Sequence, residues 1–269
     1  MANTTILHPL IRWRYETMTW YMALLTIGAG FLTGFINTLA GSGSAVSLAM
    51  LNILGLPLDV ANGTNRIAIL LQNMMAVYGF HTQKKLDWKR GVWLMVPAVL
   101  GSIIGASIAG ILHKDQLRLA IGIAMIVVFI MLFIRPKRWL EGSQLHDRRP
   151  GLLQLFVFFC IGIYGGFIQI GVGVFLLVAL VLNAGYDLIK GNAVKVLIIF
   201  AFTIPALAIF VYNGQVQWGT GFILAIGNIL GTWVATKEAA KRGAGFVRWL
   251  LIVVVTFSAM RYLGVFSLF

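Results

Sequence analysis

A single cysteine, Cys160, stands in 269 residues, so no disulfide can form within the chain, and the residue reads as a small apolar packing group. Carboxylates are scarce as well: eight Asp and Glu face 21 Lys and Arg. None of the eight falls in the middle of an apolar stretch; all sit in loops or at segment ends, as Asp59, Asp87, Asp187 and Glu238 do. Proton-coupled pumps and cation carriers rely on an intramembrane carboxylate, and its absence argues against both. The four histidines do not fall at a metal-ligand spacing, and no nucleophile–base pair lies inside an apolar stretch. An integral-membrane enzyme is therefore the weaker reading, and the sequence predicts no catalytic residue, no metal site and no cofactor. Alternation of period two is missing from the apolar runs, which argues against a β-barrel. Residues 1–20 lack a small-residue cleavage site after their apolar segment, so no removed signal peptide is expected.

What abounds is apolar surface: 59% of residues are hydrophobic, 11% are charged, and the mean hydropathy is +0.90. That balance describes an all-α polytopic membrane protein whose first partner is the lipid bilayer. The net charge of +13 does not point to nucleic acid, because most cations lie in short loops between apolar segments, where the positive-inside rule puts them. Trp13, Trp20, Trp88, Trp93, Trp218 and Trp249 lie near segment ends and read as an interfacial aromatic belt. Ten segments are predicted, near 18–39, 43–56, 60–80, 91–112, 117–134, 151–169, 172–185, 189–211, 218–236 and 246–263. The second and seventh are too short to span: about 14 residues cover only about 20 Å of a hydrocarbon core of about 30 Å.

The same unit is written twice. At an offset of 130 residues Trp88 pairs with Trp218, Gly41 with Gly171, Gly43 with Gly173, Asn62 with Asn192, and Gly101 with Gly231. Two extra residues in the first copy shift its start, so Gly34-Phe35-Ile36-Asn37 matches Gly166-Phe167-Ile168-Gln169. The reading is a first transmembrane repeat over 1–134, a basic linker over 135–150 and a second repeat over 151–269. Loop charge suggests how the copies lie. The 81–90 loop carries Lys84, Lys85, Lys89 and Arg90, while its mate, 211–220, carries no charge; the bias reverses one loop later, at 237–248. Equivalent loops with opposite bias face opposite sides, which predicts inverted repeats of five segments each and a cytoplasmic linker. The alternative makes the short segments re-entrant, leaving eight full spans in parallel repeats.

Each short segment follows a glycine-rich break, Ala40-Gly41-Ser42-Gly43-Ser44 and Ile170-Gly171-Val172-Gly173. Short interrupted segments at matching places in two halves are the best sequence pointer to a transporter binding site. Each copy adds a cation in the first turns of its third segment, Arg66 beside Asn62, Thr64 and Asn65, and Lys195 beside Asn192. Cations, carboxamides and backbone N–H groups bared at glycines suit a small oxyanion in low dielectric. The candidate substrate-binding set is Asn37, Gly41, Gly43, Asn62, Thr64, Asn65, Arg66, Gln169, Gly171, Gly173, Asn192 and Lys195. The competing reading makes the cations snorkelling residues, the amides inter-helix bonds and the glycines close-packing positions. Gln72, Asn73 and Asn228 do not recur as polar pairs and read as packing or gate residues.

The order Gly34-Phe35-Ile36-Asn37-Thr38-Leu39-Ala40-Gly41-Ser42-Gly43, then Gly55-Leu56-Pro57, then Ala61-Asn62-Gly63-Thr64-Asn65, resembles the sulfite exporter TauE/SafE family. Leu86-Asp87-Trp88, the Gly101–Gly105 stretch and the second copy's Gly191-Asn192 and Val216-Gln217-Trp218 extend the likeness over nearly the whole chain. The resemblance implies a multi-pass permease of the bacterial inner membrane that carries sulfite, sulfoacetate or related organosulfonates. Family glycines are replaced by Ser42, Ser44 and Val172, which leaves the exact anion open. Export by alternating access, driven by membrane potential, is the expected mechanism; a channel-like anion pathway is the alternative. Monomer and homodimer both remain open, since glycine faces at Gly101, Gly105 and Gly110 could pack within or between protomers.

Overall fold

A computed structural model describes residues 18–109 and 150–262. The predicted fifth segment, 117–134, and the linker through residue 149 lie outside the described residues. Among those described, every regular element is helical: α1 Trp20–Leu39, α2 Ser44–Ile53, α3 Leu58–Thr82, α4 Trp88–Ile108, α5 Leu152–Phe167, α6 Val172–Val178, α7 Leu188–Tyr212 and α8 Trp218–Tyr262. A π-helical turn, Ala179–Asn183, extends α6. By length and apolarity α1, α4, α7 and Trp218–Ala239 of α8 can cross a membrane. Their outer faces stay greasy: Leu25, Leu32, Val96, Leu100, Ile226 and Leu230 are all exposed, as lipid contact requires. Trp20, Trp88 and Trp218 are each exposed on the first residue of their helix, at the ends where a belt would lie.

One predicted break is absent. The stretch 237–248 was expected to be a loop, yet α8 runs through it as 45 helical residues, about 67 Å of helix. Contacts four residues apart sustain it. Lys237 lies over the Trp233 ring at 3.5 Å, Arg242 pairs with Glu238, and Arg242 lies over Phe246 at 4.9 Å. Such pairs each add a few tenths of a kcal/mol to a helix, and Lys-Glu-Ala-Ala-Lys-Arg is a strong helix former. Loop charge was legible here, but charge alone does not break a helix.

Helix directions follow from which backbones touch. Beside α1, Gly30 meets Leu224, Gly34 meets Asn228, and Gly231 meets Phe31, so α1 and α8 run parallel. Gly101 meets Phe159, Gly105 meets Ile163, and Gly166 meets Ser102, so α4 and α5 also run parallel. Both seams are small-residue ridges four apart, Gly30/Gly34 on Gly227/Gly231 and Gly101/Gly105 on Gly162/Gly166, which let backbones approach in the absence of a hydrophobic drive. The Gly101 face is thus used within the chain. α3 runs with α8, since Gly221 packs on Ile67 and Gly79 on Thr236. α7 runs with α4, since Gly91 packs on Leu197 and the Ser102 hydroxyl donates to the Phe202 carbonyl. The two trios are antiparallel. The turn before α8 meets the start of α3, where the Gln217 N–H donates to Thr64 Oγ1 at 2.9 Å. The turn before α4 meets the start of α7, where the Tyr186 hydroxyl donates to Asp87 Oδ2 at 2.9 Å. Burial, and then the Asp87 carboxylate, hold that phenol well above its ordinary ionisation range, so it remains a donor.

The same contacts sort the charges. Lys84, Lys85, Lys89 and Arg90 share one end of the bundle with Lys190 and with Lys237, Lys241 and Arg242, because Thr236 of α8 packs on Gly79 of α3. The opposite end holds the uncharged α7–α8 turn and Asp59.

A Cβ at Gly105 would fall on the Ile163 carbonyl, backbone that cannot swing aside, whereas one at Gly28 meets nothing within 4 Å. Gly105→Leu is expected to abolish a monodisperse peak in detergent size-exclusion chromatography or lower the melting temperature by about 10 °C or more, while Gly28→Ala stays within a few degrees of wild type.

Candidate functional site

The two glycine breaks meet. Gly41 adopts φ +85°, a left-handed conformation that only glycine takes without strain, and it lies backbone to backbone against Gly173. A side chain on either would collide with the other's main chain. Gly43 packs back on α1 against the Thr33 carbonyl, and Gly171, at φ +72°, opens α6.

Both broken helices end on side chains from a helix of the other sequence half. Lys195 Nζ donates to the carbonyls of Asn37 and Thr38, 2.9 Å each, and to Asn192 Oδ1 at 2.7 Å. The Asn192 amide donates to the Leu39 carbonyl at 3.2 Å, completing the cap of α1. At the end of α5, Arg66 donates to the carbonyls of Gly165 and Gly166, with one contact at 3.2 Å to Gly165, and the Asn62 amide donates to the Phe167 carbonyl at 2.8 Å. The Arg66 guanidinium also lies 4.6 Å from the Phe210 ring centroid. Arg66 and Lys195 are both wholly buried. Three acceptors around Nζ make the environment of an ammonium, since a neutral amine has only two donors. Helix C-termini carry negative partial charge, so each cation is partly compensated without a carboxylate.

Beside this junction is a cavity of about 10 Å³, room for a single water. Asn37, Gly41, Ser44, Ile69, Gln72, Asn73, Gln169, Val172 and Ile199 line it. Ile69 and Ile199 are each the twelfth residue of a 25-residue helix, so the cavity lies at mid-length of α3 and α7. Its polar lining is neutral. Asn37 clasps Ser44 at the start of α2, Gln72 Oε1 accepts from Asn228 at 3.0 Å, Asn73 donates to the Ile69 carbonyl at 2.7 Å, and Gln169 donates to Thr203 at 3.2 Å.

This distribution divides the predicted set. Asn37, Gly41 and Gln169 line the cavity. Asn62, Arg66, Asn192 and Lys195 donate to carbonyls at the breaks, with Asn62 Oδ1 and Arg66 Nε left without a protein partner, and none lines the cavity. Thr64 holds the α7–α8 turn, Asn65 is buried with no protein partner for its carboxamide, and Gly43, Gly171 and Gly173 shape the breaks. Gln72 and Asn73 line the cavity although their counterparts at the 130 offset are Phe202 and Thr203. Reasoning from recurrence discounted them; their spacing of three and four residues from Ile69 was the available signal.

The chain matches the sequence profile of the sulfite exporter TauE/SafE family over residues 26–262. It belongs to the TauE/SafE family. Relatives span the same length and carry transporter names. A probable membrane transporter protein, ORF9, from Sinorhizobium sp. is 25% identical over 250 residues, covering 93% of this chain and 95% of its own. The probable membrane transporter protein YfcA of Escherichia coli strain K12 is 27% identical over 224 residues, 83% of this chain and 82% of its own. YunE of Bacillus subtilis strain 168, named likewise, is 21% identical over 91% of this chain and 99% of its own. This TauE/SafE protein is a multi-pass membrane transporter, and the cavity at the meeting of its two breaks is its candidate solute site.

Lys195→Met would leave the Asn37, Thr38 and Asn192 acceptors unpaired, a loss of about 3 kcal/mol or more. Thermal unfolding in detergent is expected to record it as a drop of about 10 °C or more, while Gln83→Ala at the helix end changes the midpoint by less than a third as much.

Proposed function

We propose that this transporter exports small sulfur oxyanions, sulfite or an organosulfonate, across the bacterial inner membrane by alternating access. The observation that carries the reading is the cavity itself: it is polar, lies at mid-length of α3 and α7, abuts both glycine breaks, and has two buried cations nearby. Among the described residues no carboxylate is buried beside those cations. At an effective dielectric of about 20, a cation about 8 Å away stabilises a monoanion by about 2 kcal/mol. The candidate residues act in two tiers. Asn37, Gln169, Gln72 and Asn73, with Gly41 and the start of α2, offer hydrogen bonds to the solute. Arg66 and Lys195 set the potential, and with Asn62 and Asn192 they keep the broken helices in place.

Inverted repeats divided as 1–134, linker and 151–269 fit the helix directions. α1 corresponds to α5, α3 to α7 and α4 to α8, and each trio of parallel helices combines two helices of one copy with one of the other. The antiparallel α3 and α7 put the charged 81–90 turn and its uncharged mate at opposite ends, and the cations gather at one end, which we assign to the cytoplasm. The continuous α8 speaks against a separate tenth crossing after a turn at 237–248.

A cavity with room for one water is too small for a sulfur oxyanion of four or more heavy atoms, so the trios must part to load it. That favours a carrier over an open pore. Outward movement of an anion from a negative interior is downhill by about 2.3 kcal/mol per charge per 100 mV, so no co-transported ion is needed.

Radiolabelled sulfite uptake into proteoliposomes tests the reading. Saturable, potential-driven flux is expected, and Asn73→Leu should reduce it at least about tenfold with an unchanged elution profile, since Asn73 bonds only within its own helix. Absence of flux for every sulfur anion would remove the proposed substrate class.

A further inference from the structure

Gln169 stands apart from every other residue lining the cavity. It is 2% exposed and sits in the α5–α6 break at φ +63°, a left-handed backbone that non-glycine residues adopt at a cost. Its counterpart in the first copy, Asn37, precedes the break in ordinary helix. The orientation of the Gln169 carboxamide is fixed by a chain of bonds. Thr203 Oγ1 lies 2.6 Å from the Ile199 carbonyl, which can only accept, so the hydroxyl proton points there. Thr203 Oγ1 is then an acceptor toward Gln169, and the group facing it at 3.2 Å must be the amide NH₂. The carbonyl oxygen, Oε1, is left buried with no protein donor. A buried acceptor without a donor costs about 1–3 kcal/mol. Asn37, by contrast, satisfies both ends of its carboxamide on Ser44.

An unpaired acceptor is a poor feature in a site for a fully deprotonated anion, whose oxygens only accept. It suits a ligand that brings a proton. Resting on the sulfur-oxyanion reading above, we infer that Gln169 selects the proton-bearing monoanion, with Oε1 accepting a hydrogen bond from the bound solute, so that the species carried is hydrogensulfite rather than the sulfite dianion. The remaining oxygens of the ligand take donors from the other cavity amides, and its single charge matches a site whose cations are already half-compensated by helix ends. The loss of a donor at a site built to accept one is the kind of mismatch that discriminates strongly, because the buried carbonyl is then left dry.

The decisive experiment is sulfite flux with simultaneous charge movement in proteoliposomes at equal internal and external pH, from about pH 6 to 9. One elementary charge per sulfite is expected throughout, with KM for total sulfite rising about tenfold per pH unit once the dianion dominates and kcat unchanged. Two charges per sulfite at high pH, or a flat KM, would overturn the inference. Methanesulfonate, a monoanion without a proton to donate, should compete poorly with wild type and at least about tenfold better, relative to sulfite, with Gln169→Leu. The charged groups in the middle turns of the helices around the cavity are Arg66 on α3 and Lys195 on α7, while Asp59, His81 and Lys190 sit at the ends of those helices. All persist in that variant, so a pH profile of their making would survive the substitution, and its survival would remove Gln169 from the role. Should Gln169→Leu not insert, Gln169→Asn tolerates the left-handed backbone but retracts the carbonyl by a methylene; an unaltered KM profile there would equally sink the assignment. Absence of sulfite flux at every pH is a different outcome, the failure of the transport reading.

Discussion

A helix that stops inside a bilayer leaves carbonyl groups with no water to accept, each costing several kcal/mol in hydrocarbon. The architecture of this protein follows from meeting that demand twice. α1 ends at Leu39 and α5 at Phe167, and the local caps, Ala40 N–H to the Ile36 carbonyl and Ile168 N–H to the Tyr164 carbonyl, leave the last carbonyls to other partners. The donors come from across the molecule, Lys195 and Asn192 for one helix and Arg66 and Asn62 for the other. The halves therefore hold each other's weakest points. Removing a cation exposes a helix end in the opposite half, which is why these residues can be essential without touching solute.

Reciprocal capping requires close approach, and glycine provides it. The α1–α8 and α4–α5 seams are backbone contacts that exclude even a methyl group, and Gly41 against Gly173 repeats the theme where the breaks cross. Such seams gain dispersion and weak polar contacts rather than hydrophobic energy, since lipid is as apolar as the protein surface. They make rigid trios. The contacts between trios are different in kind: the reciprocal caps of α1 and α5, the crossing of Gly41 and Gly173, and the small polar cavity beside them. Two close-packed trios that meet across a small, neutral polar cavity suit the proposed rocking.

On the proposed reading, anion preference arises without an ion pair. Neutral amides line the cavity, while the charge sits outside the lining, bound to carbonyls. A direct lysine–sulfonate pair in low dielectric would be a trap, strong enough to bind but too strong to release. Moving the cation back by one shell leaves its field and removes its grip.

Much of this was legible in the sequence because membranes impose simple rules. Hydropathy marked the helices, and glycines recurring at a fixed offset marked the breaks, since only glycine turns left-handed where Gly41 and Gly171 do. Duplication also singled out Arg66, Lys195, Asn62 and Asn192 as a set. What the sequence could not convey was where each donor points. Whether Lys195 faces a solute or the end of α1 depends on residues 157 and 158 positions away being brought to 2.9 Å, a distance that no local pattern encodes. The same holds for Gln72 and Asn73, whose counterparts are not both polar, and for the continuity of α8, decided by contacts four residues apart outweighing a run of charge. Composition and repetition determined the kind of protein, the places where its helices break and the sign of charge beside them. Tertiary packing alone decided which polar groups are consumed in closing those breaks and which remain for a solute, because hydrogen-bond partners inside a membrane are chosen by proximity across the fold.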